Sequence, residues 1–427
     1  MGGDDRRTTP APKSAAGRWP RAVVGRLAGL FAILAGLAVL VGVVGLPGCQ
    51  RYQANNQDRV RHALRGRGPL VIAVVASSSA PNLTWEGAQL AAKQINARGG
   101  VLKGRQIQVR RLDDQGRLSV AEGLARKLAD DEEVAVVVGH VYSEVAVPVS
   151  IIYGVSGLLF ISTGATDPQL SLIPNPLSLR VVPNDGETAL ALAELARKLG
   201  LTNLVVMFQR GLYGTFYGQS LSGYFSAVAG DHGLNVLHVR SFFPWQDDLR
   251  PMLAPLRKEK IDGLVTIGFL PQAGQLISQA RGLSIRATIL ASDSLDDSGL
   301  LKLPNQAAEG VIVASFFRPD LDRAATRAFV ADFQRAYGKP PDDNAAATFD
   351  AVNLIAAAAQ SAGSSVPLDM ANAITYMENV QGAASRYNFD PDGDPIARWI
   401  WFKEVMDNRF VFLPNEYQPQ DPGQLTD

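Results

Sequence analysis

Short β-branched runs alternate with longer stretches of helical spacing from residue 69 onward, and this alternation constrains the fold more than any other feature of the sequence. The first runs are VIAVV (71–75), IQVRRL (107–112), VAVVVG (134–139) and LLFIS (158–162). The stretches between them are Thr84 to Ala97, Leu118 to Asp130 and Ser143 to Val155. Their apolar residues recur at intervals of three and four, as in a helix that covers a sheet. Near-continuously apolar strands separated by helices predict a parallel sheet with both faces covered, and so an α/β fold.

The alternation restarts near residue 204, which predicts a second α/β unit of similar size. Its β-like runs are LVVMF (204–208), NVLHVRSF (235–242), GLVTIG (263–268), TILAS (288–292) and VIVAS (311–315). Its helical stretches lie near Thr215 to Asp231, Asp248 to Glu259 and Pro271 to Gly282. The join between the two units falls at RVVPNDGET (180–188).

Late helical stretches have no sheet of their own. They are Arg323 to Tyr337, Asn344 to Ala362 and Leu368 to Met377, and β-like segments follow them. Because these elements must pack back on the two units, the chain has to cross between them more than once, which makes a hinge. We therefore predict two Rossmann-like lobes with parallel-sheet cores. Lobe 1 takes residues 69–184 and 317–384, lobe 2 takes residues 185–316 and 385–417, and a tail takes residues 418–427.

The N-terminal region resembles an export signal. Basic residues precede an uncharged apolar run at 27–46, and Leu46-Pro47-Gly48-Cys49 follows it. Cys49 is the only cysteine and stands where a bacterial lipoprotein signal places the lipidated residue. The alternative is a retained membrane anchor, because about 20 apolar residues can span a bilayer. Residues 1–48 are thus a signal peptide or an anchor, residues 49–68 a polar tether, and the remainder lies outside the cytoplasmic membrane.

Composition excludes several classes of function. The chain has 41 basic and 41 acidic residues, so no overall charge attracts nucleic acid. A single cysteine allows no internal disulfide. The four histidines are scattered, and we predict no metal and no cofactor. FDPDGD (389–394) places its glycine wrongly for a calcium loop and is better explained as a β-turn.

Polar residues follow two strands of the first unit, at the edge where ligands bind in open parallel sheets. Ser143 ends VVVGHVYS (136–143), and Gly164 and Thr166 come after the strand in FISTGATDP (160–168). Two hydroxyls, helix N-termini and a glycine that lets a ligand approach the backbone describe a seat for a carboxylate. Without further support, helix capping by Ser143 and Thr166 explains the same residues.

The second unit offers groups of opposite polarity. Asp293 follows a strand at its carboxyl end, and Tyr213 and Phe269 lie on the same rim. An acid beside aromatic faces holds an ammonium through charge-assisted hydrogen bonds and cation–π attraction. An anion seat on one lobe and a cation seat on the other predict an α-amino acid as ligand.

From about Gly68 to Leu413 the sequence resembles the extracytoplasmic leucine/isoleucine/valine-type solute-binding proteins of ABC transporters. The motifs that carry the resemblance are EGAQLAAKQINARGGVLKGRQIQV (86–109), VVVGHVYS (136–143), FISTGATDP, QRGLYG (209–214), IDGLVTIG (261–268) and FDPDGD. The resemblance implies a type I periplasmic binding fold whose lobes, joined by three crossovers, close over the ligand.

Residue roles also follow from this resemblance. It assigns the α-carboxylate to Ser143 and to the turn Gly164, Ala165 and Thr166, and the α-ammonium to Asp293. Tyr213 and Phe269 form the wall of the second lobe. The sequence departs from the family in three places: the loop at 77–87 is short, so Trp85 receives no role; Glu144 replaces a small hydroxyl residue and could repel an anion; and Phe269 lacks a tyrosine hydroxyl.

The leading hypothesis is a monomeric, membrane-tethered binding protein that captures a small amino acid or related zwitterion for an ABC permease and performs no chemical step. The altered first loop and Glu144 motivate an alternative, a ligand-sensing or regulatory lipoprotein acting on a membrane or cell-wall partner. A third hypothesis, an esterase or amidase using Ser143 and His140, rests only on their proximity in sequence.

Overall fold

The computed structural model describes residues 47–79, 82–211, 218–396 and 400–418. The chain divides into two compact units, residues 1–51 and 52–427. Within the first unit, the described residues Pro47–Arg51 begin a helix. The apolar run 27–46 lies outside the described residues. Among the helices that the structure describes, none is long and apolar enough to cross a membrane.

Helices and strands alternate along the described residues, and the first helix begins in the first unit and continues into the second. The helices are Pro47–Arg65, Thr84–Ala97, Leu118–Asp130, Ser143–Val155, Gln169–Leu172, Asp185–Lys198, Gln219–Ala229, Arg250–Leu253, Gln272–Gly282, Ala324–Tyr337, Asp343–Ala362 and Pro367–Thr375. The strands are β1 Leu70–Ala76, β2 Ile107–Asp113, β3 Val134–Gly139, β4 Leu159–Ser162, β5 Ser178–Arg180, β6 Asn203–Gln209, β7 Asn235–Phe242, β8 Gly263–Ile267, β9 Thr288–Ala291, β10 Val311–Ser315, β11 Val380–Gln381, β12 Arg386–Tyr387, β13 Trp401–Met406 and β14 Arg409–Phe412.

Two sheets form the cores of two lobes. Lobe 1 is built on a parallel sheet of order β2-β1-β3-β4-β5. Lobe 2 is built on a sheet of order β14-β13-β10-β9-β8-β6-β7, which is parallel except where β13 and β14 join it as antiparallel edge strands. β1, β3, β8 and β10 are buried along their whole length, as expected of strands covered on both faces. The α/β prediction is therefore confirmed.

The chain crosses between the lobes three times. The first crossing follows β5, the second follows β10, and the third lies between Tyr387 and β13. The late helix Asp343–Ala362 returns to lobe 1 and packs against helix Thr84–Ala97. Helix Asp185–Lys198 packs against helix Gln219–Ala229 of lobe 2. The multi-crossover hinge is thus present, and the residue bounds assigned to each lobe from the sequence stay a prediction.

The segment predicted to be a tether is helical and docks on lobe 1. The side chain of Arg59 is almost fully buried, and its Nη1 donates to the carbonyl oxygen of Val134 at 2.8 Å. Its Nη2 donates to the carbonyl oxygen of Ala129 at 2.9 Å. Burial lowers the pKa of Arg59 to about 10. Because a buried guanidinium is costly unless its donors are satisfied, these carbonyls hold the helix in place instead of leaving an irregular linker.

Two predicted elements of lobe 2 differ in the structure. The stretch near Asp248 to Glu259 forms a short α-helix, Arg250–Leu253, followed by a 3-10 turn, Ala254–Lys258. Pro255 explains the break, because proline has no N–H to continue the helical ladder. The helix predicted near Thr215 begins at Gln219, after the undescribed residues 212–217.

Candidate functional site

A cavity of about 1060 Å³ lies between the two lobes, at the carboxyl ends of their strands. Ser143, Gly164 and Thr166 line it from lobe 1, and Phe269 and Asp293 line it from lobe 2. Five of the residues selected from the sequence therefore meet at one cavity, although they belong to two separate sheets. Tyr213 lies outside the described residues.

Ser143 fastens the turn at 163–168 to the first turn of helix Ser143–Val155. Its Oγ accepts hydrogen bonds from the backbone N–H groups of Thr166 at 3.1 Å and Asp167 at 3.2 Å. The sequence suggested that the turn's N–H groups and the serine hydroxyl would face a carboxylate together. In the structure the two N–H groups are bonded to the serine instead, and the serine hydroxyl proton is left to donate.

Ala165 differs from the prediction that it belongs to the ligand-binding turn. Its side chain is fully buried, its N–H donates to Ser162 Oγ at 3.1 Å, and it is absent from the cavity wall. Gly164 does line the cavity, and its lack of a side chain lets the turn pack closely against the backbone of Val141. A Cβ there would lie 2.9 Å from Val141 Cα and 3.0 Å from Val141 O.

A buried arginine supports the turn from behind. The Arg180 side chain is fully buried, and its guanidinium donates to the carbonyl oxygens of Ala165 at 3.3 Å and Asp167 at 3.0 Å. Its Nε donates to Asp394 Oδ1 at 2.6 Å. The FDPDGD segment is therefore a turn, with Gly393 at a φ of +87°, whose Asp394 pairs with Arg180. In the described part of the chain, no group of three or more His, Cys, Asp or Glu side chains is placed to hold a metal ion.

Aromatic rings from opposite lobes meet at the cavity. Phe269 packs edge-on against Tyr142, with ring centroids 4.9 Å apart. The Phe269 N–H donates to Gln209 Oε1 at 3.0 Å, which fixes the start of the loop after β8. Tyr142 Oη accepts a hydrogen bond from Ser79 Oγ at 3.0 Å, and burial raises the pKa of Tyr142. The predicted aromatic wall therefore includes Tyr142, a residue that the sequence did not single out.

Asp293 begins the 3-10 turn Asp293–Leu295, directly after β9 and Ser292. Burial, with the nearby carboxylates of Asp185 and Asp296, raises the pKa of Asp293 to about 7. In the ligand-free protein near neutral pH, this acid is therefore poised between its protonated and ionised forms. A cation beside it would favour the ionised form.

Further acids line the cavity that the sequence did not single out. They are Glu86, Asp167, Asp185, Asp296, Asp297, Asp342 and Asp343. Asp185 begins helix Asp185–Lys198, whose capping box between Asn184 and Glu187 is visible in the sequence. Asp342 caps helix Asp343–Ala362 by accepting the N–H of Ala345 at 2.7 Å. Capping explains their positions in sequence, and only the fold shows that they surround one cavity.

The hydrolase alternative has no geometric support. His140 Nδ1 lies 2.8 Å from Asp114 Oδ2, and His140 Nε2 lies 2.8 Å from Tyr153 Oη. The His140 side chain is fully buried. Because both ring nitrogens are engaged away from Ser143, His140 cannot take the serine proton. An orienting acid, Asp114, does exist, but it belongs to this buried structural network.

Two packed lobes with a polar cavity between the carboxyl ends of their strands define a two-lobed ligand-binding protein. The periplasmic binding protein family matches residues 73–408, and the chain belongs to that family. Members of this family bind solutes without a chemical step, so the chain is a solute-binding protein and not an enzyme.

Individual relatives extend this result. The chain is 27% identical over 305 residues to the leucine-specific-binding protein of Salmonella typhimurium, covering 70% of this chain and 81% of that one. It is similar, with a TM-score of 0.73 and 28% identity, to an ABC transporter substrate-binding protein of Desulfitobacterium hafniense in complex with Leu; 81% of this chain and 100% of that one are covered. A Rhodopseudomonas palustris (R. palustris) solute-binding protein in complex with benzoate shares the fold at a TM-score of 0.70 and 20% identity, covering 81% and 96%. The resemblance to branched-chain amino acid binding proteins is thus confirmed.

Proposed function

We propose that the chain captures a small amino acid or related zwitterion between its lobes, outside the cytoplasmic membrane, and delivers it to an ABC permease. One observation carries the proposal. Asp293 of lobe 2 lines the same cavity as two residues of lobe 1, Ser143 and Thr166. Asp293 would hold the α-ammonium, and the Ser143 and Thr166 hydroxyls with the backbone at Gly164 would receive the carboxylate. Phe269 would cover the ligand, and Ala165 would act through packing.

Titration calorimetry on the purified full chain in detergent, with each of the common amino acids, tests this proposal. Binding of at least one of them at a ratio of one to one is expected. Asp293→Ala should weaken that binding by about 1.5–3 kcal/mol, the value of a hydrogen bond to a charged group. A folded protein that binds none of them would defeat the amino-acid proposal.

The chain would act as a monomer held at the membrane by a lipid on Cys49, or by residues 27–46 as a retained membrane anchor. Mass spectrometry of the protein extracted from the membrane separates the two anchors. A lipid-bearing Cys49 as the first residue supports the lipid, whereas an unmodified cysteine in a chain that keeps residues 27–46 supports the retained anchor.

A second function of the same fold is motivated by two departures from the family, the short loop at 77–87 and Glu144. Glu144 follows Ser143 in the first turn of helix Ser143–Val155 and is not among the described residues that line the cavity. A ligand-sensing or regulatory lipoprotein acting on a membrane or cell-wall partner would account for these departures. Deletion of the gene discriminates: lost amino acid uptake supports transport, and unchanged uptake with altered cell-wall synthesis supports regulation.

A further inference from the structure

The interlobe cavity contains far more acidic than basic side chains. Among the residues that the structure describes, its wall includes eight carboxyl groups and three lysines and no arginine. Two of the lysines are already paired: Lys339 Nζ lies 3.1 Å from Glu86 Oε1, and Lys403 bonds Asp296. The third, Lys302, is exposed. The basic residues of the wall therefore do not neutralise its remaining acids.

Six of these acids form no ion pair with a basic side chain in the part of the chain that the structure describes. We call them the unpaired acids; they are Asp167, Asp185, Asp293, Asp297, Asp342 and Asp343. They come from both lobes, since Asp342 and Asp343 begin a helix of lobe 1 whereas Asp185 and Asp293 belong to lobe 2. Asp167 and Asp185 are buried and the other four are partly buried. Carboxylates withdrawn from water without a basic partner are costly, and proteins usually pair or protonate them.

Two buried polar atoms in the cavity wall also lack a hydrogen-bond partner. Thr163 and Asp167 line the cavity, and each is only 2% exposed. Thr163 Oγ1 and Asp167 Oδ2 form no hydrogen bond in the described structure. The other carboxylate oxygen of Asp167 accepts the N–H of Gln169 at 2.8 Å. An ionised Asp167 Oδ2 can only accept, so it indicates a ligand that donates there, whereas the Thr163 hydroxyl can either donate or accept.

Donors for an anionic ligand group are, by contrast, largely used within the protein. The N–H groups of Thr166 and Asp167 go to Ser143 Oγ, and that of Ala165 goes to Ser162 Oγ. The donors left for an anionic group on this turn are therefore mainly side-chain hydroxyls, whereas the cavity wall offers eight carboxyl groups. A metal ion does not account for this arrangement, because no group of three or more potential ligands among the described residues is placed to hold one.

The electrostatics of the acids support the same reading. Burial raises the pKa of Asp342 to about 6, and burial with the neighbouring Asp296 and Asp342 holds the pKa of Asp343 well above its ordinary range. Lys403 acts in the opposite direction on Asp343. Without a cation, burial and mutual repulsion shift these groups toward the protonated form, and a bound cation would oppose that shift.

We propose that the ligand of the interlobe cavity carries a net positive charge, as an amine with more cationic groups than carboxylates. This inference rests on the proposed solute-binding function and specifies its substrate class. The two forms of such a ligand are an amino acid with a basic side chain and a diamine without a carboxylate. They share the ammonium groups that the unpaired acids would receive.

Two matched ligand pairs test the proposal by calorimetry on the full chain in detergent. L-Lysine and L-norleucine share their carbon chain and differ by the terminal ammonium, whereas L-lysine and 1,5-diaminopentane differ by the carboxylate. Lysine is expected to bind at least about tenfold more tightly than norleucine. That ratio should shrink as salt rises from about 50 mM to about 500 mM, because salt screens charge attraction. If the diamine binds as tightly as lysine, the net-charge proposal is supported and the carboxylate is dispensable.

Asp343→Asn tests whether the unpaired acids cause the preference. The variant should reduce the lysine-to-norleucine affinity ratio by at least about threefold, whereas Asp369→Asn, an exposed acid outside the cavity wall, should preserve it. An unchanged ratio in folded Asp343→Asn and Asp342→Asn proteins overturns the assignment to these acids.

Failure of this inference differs from failure of the proposed function. Equal or tighter binding of norleucine or leucine overturns the net-charge proposal and leaves amino acid capture intact. Absence of binding by every amino acid and diamine, with the protein folded, overturns both. A calcium-induced rise in melting temperature equal to that produced by lysine would also overturn the proposal in favour of a metal site.

Discussion

Arg180 and Asp394 form an ion pair of 2.6 Å that joins parts of the chain 214 residues apart. The arginine ends β5, just before the first crossing between the lobes, and Asp394 lies in the third crossing. Asp394 also accepts a hydrogen bond from Asn184 Nδ2 at 3.0 Å. Because the same guanidinium holds the carbonyls of Ala165 and Asp167, this pair links two crossings of the hinge to the turn that lines the cavity.

Replacing the arginine should therefore damage both stability and ligand binding. We expect Arg180→Met to lower the free energy of unfolding by about 3–5 kcal/mol, because it leaves the Asp394 carboxylate buried without its partner. Urea denaturation measures this change. Arg335→Gln is the matched control, since Arg335 pairs with Asp332 on the surface with 76% of its side chain exposed, and such pairs contribute about 0–1 kcal/mol. Equal effects of the two substitutions would contradict the role given to Arg180.

Ser143→Ala removes one acceptor shared by two backbone N–H groups. We expect the free energy of unfolding to fall by about 1–3 kcal/mol, because buried donors lose their partner, and ligand affinity to fall as the turn loosens. Ser150→Ala is the control: Ser150 lies in the same helix, and its Oγ donates only to the carbonyl of Val147 at 2.8 Å. Calorimetry and urea denaturation on both variants check the prediction, and a Ser143→Ala protein with unchanged stability and affinity would refute it.

Local patterns predicted most of the secondary structure, because periodicity and capping act within a few residues. The helices Thr84–Ala97, Leu118–Asp130 and Ser143–Val155 have the predicted bounds. Helix Asp185–Lys198 was not predicted although its capping box is present, because its first residues belong to the segment RVVPNDGET that joins the two lobes. The Asp342–Asp343 pair was missed for another reason. An acid at a helix N-terminus is ordinary, and nothing nearby in sequence shows that it faces Asp293.

The sequence predicted where the site lies, but it did not predict that acidic side chains outnumber basic ones there. The rule that ligands bind at the carboxyl ends of parallel strands led to Ser143, Thr166 and Asp293. The internal use of the Thr166 N–H and the support from Arg180 depend on contacts between distant segments. Such contacts leave no periodic signal in the sequence. The sequence therefore predicted one seat for an anion and one for a cation, whereas the fold forms a predominantly acidic cavity.

Asp293→Asn should change how stability depends on pH. Burial raises the folded-state pKa of Asp293 to about 7, above its ordinary value of 3.8. Between these values the folded ligand-free protein binds more protons than the unfolded chain does, so this group lowers the free energy of unfolding as pH rises. The groups facing it are Asp185 and Asp296, with Asp343 nearby and Lys403 paired to Asp296.

We therefore expect the stability of the asparagine variant, relative to the wild type, to rise by roughly 2–3 kcal/mol between about pH 5 and about pH 8, since one pKa unit corresponds to about 1.4 kcal/mol. Urea denaturation of the ligand-free proteins at both pH values measures the difference. Asp369→Asn should show no such divergence between the two pH values. A variant whose stability runs parallel to the wild type would show that Asp293 does not titrate in this range.

Gly164→Ala tests the close packing of the cavity turn against the strand end at Val141. An added Cβ would lie 2.9 Å from Val141 Cα and 3.0 Å from Val141 O, and backbone cannot move aside as a flexible side chain can. We expect a loss of about 1–3 kcal/mol in the free energy of unfolding, as for other overpacked sites, together with weaker ligand binding. Gly223→Ala is the control, because a Cβ there meets nothing within 4 Å in helix Gln219–Ala229. In a helix interior alanine is better than glycine by about 1 kcal/mol, so the control should gain stability. If Gly164→Ala is also more stable than the wild type, the turn at 163–168 moves to accommodate the methyl group. The inference that this turn is rigidly packed against Val141 is then wrong.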